Sequence, residues 1–254
     1  MTAQYYDRWG EQWLASGRDE LEARAAAYKV SVLCELLDIE ASRRVVDFGC
    51  GLGDALHLMA ERLNAREAVG IDISPSMIKA ARKRHPEHTF ICGGAEELEA
   101  NHADLVTCFD VLEHVEDIGS LLRTALSCAP CIGIKVPLER TAYTGLLTAL
   151  RLKAAGSRHR ESEGHLYEFA ESDVRRLVTE AGLRIKAASV TTPPRDVSFH
   201  PYVGGRLRAG EGIKGAVRRS GYSLLARLPY GLARRILAFI EGSDLFLVCA
   251  GEDP

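Results

Sequence analysis

Residues 45–53 read Val-Val-Asp-Phe-Gly-Cys-Gly-Leu-Gly, and no other stretch constrains the fold as much. The β-branched start favours extended chain, so Val45 to Phe48 reads as a strand. Gly49, Gly51 and Gly53 follow at alternate positions, where a backbone without Cβ atoms can turn tightly and approach a ligand closely. From Asp54 onward, Leu56, Met59, Ala60 and Leu63 share one helical face. A second strand, 67–72, then delivers Asp72 at its C-terminal end. Strand, glycine turn, helix and strand together open a doubly wound sheet, in which ligands sit at the carboxyl ends of the strands.

A dinucleotide site spaces its glycines GxGxxG. The run here is GxGxG, and Asp47 stands two residues before the first glycine, where a pyrophosphate would meet a carboxylate. A cationic ligand carrying an amine suits that place better. The segment resembles motif I of the class I S-adenosylmethionine-dependent methyltransferases, and Asp72 resembles their ribose acid. The resemblance implies S-adenosylmethionine as cofactor. It also implies an α/β fold, a Rossmann-like doubly wound sheet of seven strands with the last strand antiparallel and helical cap insertions.

Further segments extend the resemblance. Gly93-Gly94-Ala95-Glu96-Glu97-Leu98 is similar to the family's GDAExL segment, whose acid and backbone amide address the adenine; Gly94 stands where the aspartate usually is, so Glu96 or a water would supply that contact. Phe109-Asp110-Val111-Leu112-Glu113-His114-Val115 resembles the strand-four stretch of the ubiquinone-type small-molecule methyltransferases. It lacks the prolines that base-modifying amino-methyltransferases carry there, which argues against a nucleic-acid acceptor. Gly164-His165-Leu166-Tyr167-Glu168-Phe169, after Lys135-Val136-Pro137-Leu138-Glu139, resembles a GHxxxF segment of a subset of bacterial methyltransferases. The cofactor set implied by the family is then Asp47, Gly49, Cys50, Gly51, Asp72, Ile73, Ala95, Glu96, Asp110 and Val111.

Methyl transfer from a sulfonium is mostly a matter of placing nucleophile and methyl group in line. A hydroxyl acceptor must also lose a proton, and histidine is the usual group for that. His114, at the C-terminal edge of strand four, and His165 are the two candidates for a base, and the residues do not choose between them. His57, His85, His88, His102 and His159 read as surface or helix positions. Oxygen is favoured over nitrogen or carbon as acceptor only because two histidines are suitably placed. The expected acceptor is a small molecule, with a hydroxyl of a sugar, polyketide or phenolic compound first.

The rest of the chain supports one such domain. Residues 1–42 precede the sheet, with a helix from Leu21 to Leu37, and their aromatic start (Tyr5, Tyr6, Trp9, Trp13) reads as a hydrophobic staple or a binding element. In the resembled family an N-terminal segment of this type folds over the cofactor as a lid. Residues 43–254 form the methyltransferase domain, with strands expected at 44–48, 67–72, 89–92, 104–109, 131–136, 183–190 and 245–250. Helices are expected at 54–63, from the Ser74-Pro75 cap to about His85, at about 118–128, and from a Ser172 cap to Ala181, with a short helix or turn at 95–100. Segments of about 138–168 and 193–241 are left over as caps above strands four and five.

Charge is uneven along the chain. Residues 1–127 carry 13 basic and 22 acidic side chains, while 128–254 carry 19 and 13. The acidic half holds the proposed loop for a sulfonium cation. Within 205–240 eight basic residues stand against the one acid Glu211, interleaved with apolar ones. That pattern fits a helical cap, or a peripheral membrane contact. No run approaches the ~18 apolar residues of a membrane span, and the first residues lack a signal-peptide core, so a cytoplasmic protein is expected. Seven scattered cysteines, with Cys128 and Cys131 as the only CxxC, show no zinc-type spacing, so no metal is expected. An RNA methyltransferase, against which the formal net charge of −3 weighs, and a non-catalytic S-adenosylmethionine-binding protein are the other readings. Oligomeric state is not legible.

Overall fold

The computed structural model describes residues 3–15, 19–39, 41–139, 164–191 and 243–251. The basic segment 205–240, the proposed cap 193–241, most of the cap 138–168, and His159 lie outside the described residues. Two helices come first, α1 (Ala3–Ala15) and α2 (Asp19–Leu36). The alternating part runs β1 (Arg44–Phe48), α3 (Asp54–Arg62), β2 (Glu67–Asp72), α4 (Pro75–Arg84), β3 (Thr89–Cys92), α5 (Ala95–Glu99), β4 (Leu105–Phe109), α6 (Ile118–Cys128) and β5 (Cys131–Leu138). A 3₁₀ turn at Leu112–His114 follows β4. The chain closes with α7 (Glu171–Glu180), β6 (Leu183–Thr191) and β7 (Ser243–Gly251).

The seven strands form one sheet in the order β3-β2-β1-β4-β5-β7-β6. Only β7 runs against its neighbours, pairing antiparallel with both β5 and β6. The order reverses between β1 and β4, so the chain leaves those two strands in opposite directions and opens a crevice at their carboxyl ends.

Each face carries its own apolar cluster because strand residues alternate sides. Val46, Val106, Ile132 and Leu245 pack with α6 and α7, while Val45, Leu105 and Phe246 pack with α2 and α3. Gly133 makes the second contact close: a Cβ there would come within 2.5 Å of Leu33 on α2. Full burial of a side chain such as Leu33 stabilises by roughly 1.5–3 kcal/mol. Toward the carboxyl edge this second face turns polar, with Asp47, Thr107, Lys135 and Asp244 all buried on the strands.

Local chemistry sets the element ends. Ser74 caps α4 by accepting from Met77 N–H, with Pro75 in the first turn, and the Asp117 carboxylate caps α6 by accepting from Ser120 N–H. Two expectations need correction. The α7 cap is Ala170 rather than Ser172: Asp173 turns back to accept from Ala170 N–H, so a first-turn carboxylate does the work. Strand β5 continues past Val136 through Pro137 to Leu138. Lys135 C=O faces β4, accepting from Asp110 N–H, so the donor that Pro137 lacks would point to the same side, beyond the end of β4. No described helix is long and apolar enough to cross a membrane.

Candidate active site

The glycine loop between β1 and α3 has left-handed backbone at Gly49 (φ 78°), Gly51 (φ 53°) and Gly53 (φ 81°), which other residues adopt only with strain. Gly49 and Cys50 N–H both donate to Ile71 C=O, which ties the loop to β2. Gly51 N–H donates to Asp72 Oδ2 at 2.9 Å, and Ser74 N–H to Asp72 Oδ1 at 2.8 Å. Each carboxylate oxygen keeps lone-pair capacity for a further donor. Burial pushes the Asp72 carboxyl up, and the two backbone donors oppose that. A Cβ at Gly51 would meet nothing within 4 Å, whereas one at Gly49 would strike Val111. Open space therefore lies beside Gly51, and Val111 is the wall behind Gly49.

Asp47 is 2% exposed and accepts from Thr107 Oγ1–H at 2.7 Å. Burial pushes its carboxyl up to about 7, with Thr107 and Lys29 opposing and Asp72 adding to the rise. A cation placed beside it would restore the charge that burial suppresses. Cys50 is buried, with its sulfur 2.8 Å from the Cβ position of Gly70, so it faces the core and leaves only backbone to the crevice. Ile73, 39% exposed, stands just past Asp72 and offers an apolar surface. Ala95 opens α5, and Glu96 Oε1 accepts from Gly94 N–H, so the acid expected at an adenine already closes its own helix start.

Asp110, expected in the cofactor set, belongs to an ion network. At the end of β4 it holds left-handed backbone (φ 57°), and its carboxylate is ion-paired with Lys135 and, at 2.9 Å, with Lys29. Burial alone would raise its carboxyl, yet the two lysines hold it well below the usual range. Lys135 also pairs with Asp244 at 2.9 Å, and Tyr28 O–H donates to Asp244. A fixed ion network thus links Asp110 to Lys29, Lys135 and Asp244.

The two histidines do meet. Their rings are edge to face with centroids 4.8 Å apart. His114 Nδ1 lies 3.2 Å from Gly164 C=O, a bond only Nδ1–H can donate, which leaves Nε2 as the acceptor nitrogen. Burial and the neighbouring His165 lower the His114 pKa, so the ring is neutral near pH 7. His165 Nδ1 stands 3.0 Å from Glu139 Oε1. Beneath them Glu113 is fully buried; among the described residues neither of its carboxylate oxygens has a hydrogen-bond partner, and burial pushes it to about 8. Helix α1 crosses above: Tyr6 packs edge-on against His114, and Asp7 accepts from Ser76 N–H at the start of α4.

Lys29, Thr107, Glu113, Lys135, Glu139 and Asp244 are among the polar neighbours that the sequence did not assign. Lys135, Glu113 and Glu139 stood inside quoted motifs, so their positions were visible and their partners were not. His85, read as a surface or helix position, does cap the end of α4 but is buried there, bonded to Asp54 Oδ1 at 2.9 Å.

Residues 20–188 match the protein family described as methyltransferase domain. The chain belongs to that family. Among similar proteins, trans-aconitate 2-methyltransferase of Methylobacterium nodulans is 35% identical over 161 residues, 58% of this chain and 60% of the relative. Ubiquinone biosynthesis O-methyltransferase of Aromatoleum aromaticum is 37% identical over 105 residues, 36% of this chain and 40% of the relative. The chain therefore spans less than two thirds of either relative's length. Among solved structures, magnesium protoporphyrin IX methyltransferase of Synechocystis, with bound S-adenosylhomocysteine, superposes with a TM-score of 0.56 at 17% identity over 98% of this chain and 94% of that one. The cyclopropane synthase of Mycobacterium tuberculosis gives a TM-score of 0.62 at 13% identity, covering 87% and 82%. At such identities the likeness is one of fold.

Proposed function

We propose that this methyltransferase-family protein uses S-adenosylmethionine to methylate a small molecule, and that the acceptor atom is a hydroxyl oxygen of a sugar, polyketide or phenolic compound. The observation that carries the cofactor reading is the pairing of two acids at one crevice. Asp72 is fixed by Gly51 and Ser74 N–H, and Asp47 is buried without full charge compensation. The open space at Gly51 fits the same ligand.

S-adenosylmethionine supplies, when bound, an activated methyl group on a sulfonium. In this reading Asp72 accepts from the ribose hydroxyls, Asp47 faces the ammonium of the amino-acid end, and Ile73, Ala95 and Val111 give apolar walls. Gly49, Cys50 and Gly51 contribute backbone alone. Nε2 of His114 or of His165 takes the acceptor's proton, with Glu139 orienting His165 and Gly164 C=O orienting His114. Tyr6 and α1 act as the lid that excludes water over this pair. The segments 138–168 and 193–241 would roof the acceptor site.

A carboxylate acceptor is the second reading, since relatives named for trans-aconitate and for malonyl-acyl carrier protein align with this chain. A carboxylate needs no base, so the histidines decide between them. A methyl-transfer screen with S-adenosylmethionine over small hydroxy compounds and carboxylic acids is the test. Turnover of a hydroxyl acceptor that falls in the histidine variants supports the first reading. Turnover of acids alone, indifferent to those variants, supports the second, and binding without turnover of any class points to a non-catalytic protein.

A further inference from the structure

A second group of donor atoms lies on the flank of α3, and nothing in the chemistry above uses it. The run His85-Pro86-Glu87-His88 leads from α4 into β3, and His57 faces it from the first turn of α3. His57 Nδ1 is 3.2 Å from His88 Nε2 and 3.0 Å from Glu87 Oε1, and the remaining edge, His88 Nε2 to Glu87 Oε1, is 3.7 Å. A tetrahedral ion with bonds of about 2.0–2.1 Å holds its ligand atoms about 3.3 Å apart. The three observed edges bracket that spacing. An ion can therefore sit just outside their plane, bonded to all three, with its fourth position free for water. A surface hollow of about 410 Å³, lined partly by these three side chains, leaves room for entry.

The surroundings orient the donors. His57 Nε2, the nitrogen turned away from the triangle, lies 3.7 Å from Glu61 one helical turn along, the arrangement by which carboxylates fix ligating imidazoles. His85 stacks on His57 with centroids 4.5 Å apart and is itself held by Asp54. Two imidazoles and a carboxylate are a donor set for zinc-type divalent ions.

We propose that His57, Glu87 and His88 bind one divalent cation of the zinc type, clamping α3 to the connection that enters β3. His57 N–H donates to Gly53 C=O, so the clamp sits one turn from the glycine loop. The site is independent of the methyl-transfer reading, and the expectation of no metal drawn from cysteine spacing does not bear on it.

Calorimetric titration of zinc into the metal-stripped full chain, with Co²⁺ absorption as a geometry probe, tests the proposal. One equivalent per chain should bind, raise the melting temperature, and weaken at least ~100-fold in His57→Gln and in His88→Gln. His102→Gln, an exposed histidine outside the cluster, should bind as the native chain does. Circular dichroism checks that each variant folds, and the surface change Glu87→Gln serves the same comparison if either histidine variant does not. Absence of zinc binding by the native chain, or binding undiminished in the cluster variants, overturns the site.

Discussion

Replacing Asp47 with asparagine should stabilise the protein above pH 7 while weakening its hold on the cofactor. Asparagine keeps the acceptor that Thr107 O–H uses and removes the charge that burial opposes. The Asp47 carboxyl rises from 3.8 to about 7 on folding. A group raised in this way contributes its full stability below the unfolded pKa and loses it as pH climbs through the folded one. At pH 8, above both values, the ionised native chain is disfavoured by an upper limit of roughly 4 kcal/mol, falling to about 2 kcal/mol at pH 5. Urea unfolding of native and Asp47→Asn proteins at the two pH values measures the difference directly. The variant should gain on the order of 2 kcal/mol more at pH 8 than at pH 5, and calorimetry at pH 8 should show weaker S-adenosylhomocysteine binding. An advantage that is flat with pH, or a variant less stable at pH 8, would refute the reasoning. A stabilising change that harms binding is the mark of a group kept for its ligand.

Other expectations follow from the same geometry. If His114 or His165 is the base, its alanine variant should lose ~10²–10⁴ in kcat with nearly constant cofactor affinity, and full turnover in both variants would mean that no histidine base is needed. NADH should give no saturable fluorescence change at micromolar concentration, because Asp47 precedes the loop and the third glycine of a dinucleotide spacing is missing; saturation would revive a dehydrogenase reading. Lys135→Met should destabilise by about 3–5 kcal/mol in denaturant unfolding, since it leaves Asp110 and Asp244 buried without their shared cation. A loss below ~1 kcal/mol would show that Lys29 and water suffice.

The βα units were legible because their signals are local. Val45 to Gly53 alternates and turns within nine residues, and Ser74-Pro75 announces a helix on its own. The reversed β7 came from the family resemblance; its own residues, buried on both faces, say only that it is an inner strand. Site residues carried by a motif, such as Asp72, could be placed by position. What stayed hidden depends on partners far apart in the chain. Lys29, Asp110, Lys135 and Asp244 come from α2, β4, β5 and β7, and only the sheet order brings them together. His85 could be read only as a surface or helix position, and its burial follows from α3 crossing beside it with Asp54. Strand β5 seemed to stop at Pro137 because the missing donor counts only when the facing strand is present.

Titration calorimetry of the native protein with S-adenosylhomocysteine, repeated on Asp72→Ala, tests the central claim most directly. One ligand per chain should bind saturably, and loss of the carboxylate held by Gly51 and Ser74 should weaken binding roughly tenfold to a hundredfold, about 1.5–3 kcal/mol. No binding by the native chain, or unchanged affinity in the variant, would contradict the account.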